Sequence, residues 1–170
     1  MKTILYVSVT ATGQIGEASA DQPVPQAVLA DYMAKLKQSG NIIMGWRTYD
    51  DLVKRWGGTA ALTSAGEDLV VLSSKPENTP DAFVVSSPEA ALKYVKDKGH
   101  DQALIGGGAA TYNAFLRQNL VDELYINVIP LLSAKGLNLA LADNSFRDVQ
   151  LLDTKTLGED VVQMHFAVKR

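Results

Sequence analysis

The spacing of hydrophobic positions changes along the chain, and each change predicts an element. Ile4, Tyr6 and Ser8 alternate with Leu5, Val7 and Val9, which predicts a first strand buried on both faces. "GQIGEASADQPVPQ" then carries the glycine, proline and small polar residues of a long loop. Val28, Leu29, Tyr32, Met33 and Leu36 fall on one helical face, and Gly40 stands where that helix would stop. "NIIM" predicts a short buried strand running into Gly45, and Thr48 with Asp51 has the form of a cap for a helix over Tyr49–Trp56. "DLVVLSS" and "AFVVSS" read as the next strands. Ser87, Pro88 and Glu89 supply a cap, a proline at the first helical position and an acid in the first turn of a helix closing at Lys98–Gly99.

"QALI" predicts another strand, a glycine triplet interrupts it, and Tyr112, Phe115 and Leu116 recur at helical spacing. Beyond this point "DELYINVIP", "VQLLDTKTL" and "VVQMHFAVK" read as strands with no helix between them, the last two pairing as a hairpin around "LGED". Strands alternating with helices, then strands alone, predict one α/β domain over residues 1–170, mostly parallel and finished by antiparallel strands.

Composition narrows the chemistry. The formal charge of −3 and the lack of any Lys/Arg cluster argue against a nucleic-acid partner. No apolar run approaches the roughly 20 residues that span a bilayer, so no membrane partner is expected. The absence of cysteine excludes thiol chemistry and suits a cytoplasmic location. Two isolated histidines predict no metal centre: His100 in a turn is read as solvent-exposed and His165 on the final strand as a surface or dimer-face residue.

Two predicted strand–helix junctions, "IMGWRTYDD" and "IGGGAATY", are candidate anion sites, because a helix start offers unpaired N–H groups and a bare glycine admits a ligand. Either glycine cluster could equally make a tight turn. The triplet is no dinucleotide fingerprint, since Thr111 stands where the third glycine would be. "SSKP" adds Ser73, Ser74 and Lys75 at the end of a strand.

In order and spacing, "IIMGWRTYDDL", "VVLSSKP" and "LIGGGAATYNAFL" resemble the dihydrofolate reductase superfamily from about Asn41 to Leu116. Beyond Leu120, "VDELYINVIPLL" is more similar to the reductase domain of riboflavin biosynthesis and its small stand-alone relatives, with "SAKG" where those usually continue Leu-Gly-x-Gly. The resemblance implies a three-layer α/β/α fold and an NADPH-dependent reductase acting on a small-molecule substrate, commonly as a homodimer. It places Gly45, Arg47 and Thr48 at the cofactor pyrophosphate and Ser73, Ser74 and Lys75 at a 2′-phosphate, although Trp46 occupies a position that is basic in the family. It places Ile105, Gly107, Gly108 and Ala109 along the nicotinamide half, Thr111 and Tyr112 beside it, and Ser8, Ile15 and Gly16 against the ring.

On the substrate side the pattern breaks. The acid of folate reductases would fall between Ala27 and Leu29, where there is none. Asp31 is expected to be a solvated surface carboxylate, and Asp21 in the loop and Asn127 in "LYINVIP" are the candidate catalytic residues. Met33 and Asn127 are the candidate substrate contacts. Three functions follow as expectations: a reductase of pterin-like, pyrimidine-like or carbonyl compounds, a catalytically silent NADPH-binding protein, or a dihydrofolate reductase with a displaced acid.

Overall fold

In the computed structural model, which describes residues 1–15, 23–75, 79–141 and 145–169, the strands are β1 (Lys2–Thr10), β2 (Asn41–Gly45), β3 (Asp68–Leu72), β4 (Phe83–Val85), β5 (Gln102–Gly107), β6 (Glu123–Ile129), β7 (Val149–Gly158) and β8 (Val161–Val168). The helices are α1 (Gln26–Ser39), α2 (Trp46–Trp56), α3 (Ala60–Thr63), α4 (Pro88–Asp97) and α5 (Ala109–Arg117). The strands form a single sheet in the order β4-β3-β2-β5-β1-β6-β8-β7. Pairings from β4 across to β6 are parallel, whereas β8 runs antiparallel to both β6 and β7.

Both faces of the parallel strands are covered, as parallel sheets require. Leu5, Val7 and Val9 of β1 pack with Ala91 and Val95 of α4 and with Tyr112 and Phe115 of α5. Ile4 and Tyr6, pointing the other way, pack with Val28 and Leu36 of α1 and Tyr49 of α2. The result is the expected three-layer α/β/α arrangement with a mostly parallel sheet and antiparallel strands at its C-terminal end. No described helix is long and apolar enough to cross a membrane.

Element boundaries follow local chemistry. Gly40 ends α1 in the left-handed region (φ 68°), its N–H bonded to the Leu36 carbonyl. A Cβ at Gly40 would lie 3.0 Å from His100 Cε1, and His100 Nε2 sits 2.8 Å from Asp68 Oδ2, so His100 is half-buried and engaged, not fully exposed as expected. α2 begins at Trp46 directly from β2 with Gly45 as its cap, so Thr48 lies in the first turn and does not cap a helix starting at Tyr49. The short α3 carries no apolar period that would have announced it. Ser87 caps α4 as expected, its Oγ accepting from the Ala90 N–H at 3.2 Å. Removing that acceptor in Ser87→Ala should cost about 1 kcal/mol, read as a lowered midpoint in urea unfolding, with Ser87→Asp close to wild type.

Candidate active site

Ligands of open α/β sheets gather at the carboxyl ends of strands where crossovers leave on opposite faces. β1 continues through α1 on one face and its neighbour β5 through α5 on the other. Gly45 to Thr48 after β2, Ser73 to Lys75 after β3, Gly107 to Thr111 after β5 and Ser8 near the end of β1 all reach this edge.

Here the starts of α2 and α5 interlock. A Cβ on Gly45, the cap of α2, would lie 2.5 Å from Thr111 Oγ1 in the first turn of α5. Reciprocally, a Cβ on Gly108, the cap of α5, would lie 3.0 Å from Thr48 Oγ1 in the first turn of α2. Gly107 takes a left-handed φ of 128° against the Tyr112 hydroxyl, and a Cβ on Gly106 would meet the Tyr32 hydroxyl at 2.3 Å. The bareness of these glycines is thus used by the protein's own side chains. The Gly107–Gly108 peptide is cis.

The two helix starts differ from the other long helices in electrostatics. The first turn of α1 is neutralised by Glu159 Oε2, 2.8 Å from the Ala27 N–H, and that of α4 by Ser87 and Glu89. Neither α2 nor α5 has a capping side chain or an acid in its first turn. Their positive dipole ends thus lie together and uncompensated at the strand edge.

Around this edge the expected contacts differ in burial. Ile105 is fully buried in the core between the sheet and α4/α5, so its side chain is not at the edge. Thr111 and Tyr112 are buried as well, the Tyr112 hydroxyl donating to the Tyr6 carbonyl at 2.8 Å. Their side chains form the wall of the crevice, and Thr111 contributes its backbone N–H to the uncapped first turn of α5. Ser74, Lys75 and Arg47 are exposed and Ser73 and Ala109 half-buried, with the Lys75 N–H bonded to Ser73 Oγ. Ile15 bridges Val9 and Leu137, and Gly136 of the "SAKG" segment packs against Gln14, so that segment clamps the end of the β1 loop. Gly16 and Asp21 lie outside the described residues.

Beside β1 lies a polar assembly of which the sequence singles out Ser8 and Asn127 but not Gln163 and Lys155. Ser8, Asn127, Gln163 and Lys155 stand directly opposite one another on β1, β6, β8 and β7. Asn127 Nδ2 donates to Ser8 Oγ at 3.4 Å, and Gln163 Nε2 donates to Asn127 Oδ1 at 2.8 Å. Asp31 reaches over this row from α1. It accepts from Gln163 Nε2 at 2.8 Å, from Lys155 Nζ at 3.0 Å and from the Tyr6 hydroxyl at 2.9 Å. Burial alone would push the Asp31 carboxyl up, but the bonds from Gln163, Lys155 and Tyr6 and the Lys155 charge hold it below the ordinary carboxylate range. Asp31 is thus no solvated surface group. Its angle to the apolar stripe of α1 misleads because the C-terminal hairpin rises on that side. Burial and the neighbouring Asp31 charge push the Tyr6 hydroxyl well up.

The next row is aromatic. Tyr6, Tyr125 and His165 are opposed in register, with the Tyr125 and His165 rings stacked at 4.0 Å. His165 Nε2 is 2.9 Å from Glu123, so this half-buried ring is held in place by the sheet and not free in solvent. A polar cavity of about 180 Å³ beside this row, lined by Lys2, Lys35, Glu123 and Tyr125, opens at the amino ends of the strands, away from the crevice. Met33 is half-buried on the cluster that holds Tyr32 and Trp46.

The chain matches the family model of the RibD C-terminal domain over residues 4–163. It belongs to that family. It is 23% identical, over 97% of both chains, to the uncharacterised protein YwjB of Bacillus subtilis. In structure it resembles a pyrimidine reductase-like protein of Corynebacterium diphtheriae (TM-score 0.76, 13% identity, 99% of this chain and 92% of that one). It also resembles RibD of Acinetobacter baumannii (TM-score 0.74, 19% identity), covering 99% of this chain and 58% of the RibD chain. Membership in the RibD C-terminal domain family supports an oxidoreductase of the riboflavin-biosynthesis type working with a nicotinamide cofactor.

In this family member, the row of amides under Asp31 has a testable electrostatic consequence. A carboxyl depressed in the folded state adds stability that is present above its unfolded value and lost as pH falls below it. Wild type should therefore exceed Asp31→Asn in urea midpoint at about pH 6, and the difference should shrink below about pH 4. A difference unchanged down to about pH 3 would contradict an ionised Asp31.

Proposed function

We propose that the chain is an NADPH-dependent reductase of a small heterocyclic substrate of pyrimidine or pterin type, such as 5-amino-6-ribosylaminouracil phosphate, or of a related carbonyl compound. The observation that carries this reading is the pair of uncapped, acid-free helix starts meeting at the strand edge. Unpaired N–H groups and two positive dipole ends suit the pyrophosphate of a dinucleotide, with Gly45, Thr48 and Gly108 forming the cradle and Arg47 the adjacent cation. Ser73, Ser74 and Lys75 at the end of β3 offer two hydroxyls and an ammonium, which suit a 2′-phosphate. When bound, the reduced nicotinamide supplies a hydride to an electrophilic C=N or C=O carbon. The chain's own part is to orient the reactants and exclude water, with Ser8 and Ala109 on the cofactor side and Met33 and Asn127 on the substrate side.

The engagement of Asp31 by Tyr6, Gln163 and Lys155 favours a second reading, a protein that binds NADPH without turnover, because this carboxylate is held by the protein's own side chains. A dihydrofolate reductase with a displaced acid would rest on Asp21, which lies outside the described residues. We further propose a homodimer, with no nucleic-acid or membrane partner. Support for the dimer is the edge strand β7, which exposes Val149, Leu151 and Leu152.

NADPH oxidation should be measured side by side with the ribosylaminouracil phosphate and with dihydrofolate. Turnover of the first alone is expected. Tight NADPH binding with neither substrate consumed would establish the silent reading instead. Lys75→Ala should weaken NADPH by roughly tenfold or more while leaving NADH nearly unchanged. Equal losses would remove Lys75 from the 2′-phosphate.

A further inference from the structure

We infer that the Ser8 hydroxyl is set as a hydrogen-bond donor to a neutral carbonyl oxygen of a ligand, with Asn127 and Gln163 as positioning residues that fix its direction. The argument starts at Asp31. An ionised carboxylate only accepts, so Gln163 must turn its NH₂ toward it. The second hydrogen of that NH₂ goes to Asn127 Oδ1. Asn127 then has its carbonyl oxygen committed on the β8 side and its NH₂ on the β1 side, facing Ser8 Oγ.

Asn127 is fully buried and Gln163 is 2% exposed. Flipping either amide would leave donor facing donor or acceptor facing acceptor where water cannot compensate, at a cost of about 1–3 kcal/mol per group. The row therefore has one direction of polarity, and it ends at Ser8. Ser8 Oγ receives a hydrogen and keeps its own, for which no acceptor exists among the described residues. Ser8 is also the one residue between Thr3 and Thr10 that is not buried.

A ligand group meeting that hydrogen must be an acceptor. The cation of the row, Lys155, is paired with Asp31, so the row offers an anion no free charge, and a single neutral hydroxyl suits a neutral carbonyl. This rests on the reductase reading, which brings two such groups: the carboxamide of the nicotinamide and a ring carbonyl of the heterocyclic substrate.

The test uses binding of NADPH and of its thionicotinamide analogue, whose sulfur is a poor acceptor, to wild type, Ser8→Ala and Asn127→Asp. The Asn127→Asp change preserves shape but places an acceptor against Ser8, so the hydroxyl turns inward. If the carboxamide is the acceptor, both variants lose roughly three- to tenfold in NADPH affinity and almost nothing with the analogue. If the substrate carbonyl is the acceptor, NADPH binding is unchanged and KM for the ribosylaminouracil phosphate rises by that factor with kcat little changed. Ser8→Ala, at a half-exposed position, keeps the test decisive should Asn127→Asp unfold. Equal losses with both cofactors, or no change in either affinity or KM, would overturn the inference while leaving the reductase reading intact. Failure of wild type to bind NADPH would overturn both.

Discussion

The carboxyl edge of the sheet depends on how closely two helices approach each other. α2 and α5 begin on neighbouring strands, β2 and β5, and neither has a loop before it. Their first turns fit together only because each cap is a glycine and each first turn brings a threonine to fill the space the other glycine leaves. Thr48 against Gly108 and Thr111 against Gly45 hold the two dipole ends in register. Two converging positive ends with no acid between them repel each other, and an anion between them would relieve that repulsion.

On the other side of β1 a polar row crosses four strands where an apolar core would be cheaper. Buried amides are tolerated only when their donors and acceptors are matched, and among the described residues no buried side-chain nitrogen or oxygen lacks a partner. The arrangement joins α1 to the C-terminal hairpin through Asp31 and joins the hairpin to β1 through Gln163 and Asn127. The antiparallel addition to the sheet is thus part of the crevice wall and not an appendage to it.

Most of the fold was legible because the elements obey local rules. The alternation in β1, the proline and serine before α4 and the glycine after α1 each act within a few residues. Legibility failed where a residue's role is set by distant chain. Thr48 looks like a cap until β2 is seen to enter α2 directly. Asp31 looks solvated when only α1 is considered, because Lys155 and Gln163 lie more than a hundred residues away. The spacing Val161, Gln163, His165 marks one face of β8, but only the pairing of β8 with β6 shows that this face points inward. In the candidate site, the positions of the glycines could be read in sequence, while the atoms that fill the space beside them could not.

The turn joining β7 to β8 carries two non-glycine residues in the left-handed region, Glu159 at φ 52° and Asp160 at φ 59°. An Asn-Gly pair would suit such a hairpin better. Yet Glu159 is the acceptor for the first turn of α1, the helix that carries Asp31. Local preference and distant duty therefore conflict at one residue. A sequence optimised for the hairpin alone would free the end of the helix whose carboxylate sets the polarity of the row, trading a better turn for a less ordered site.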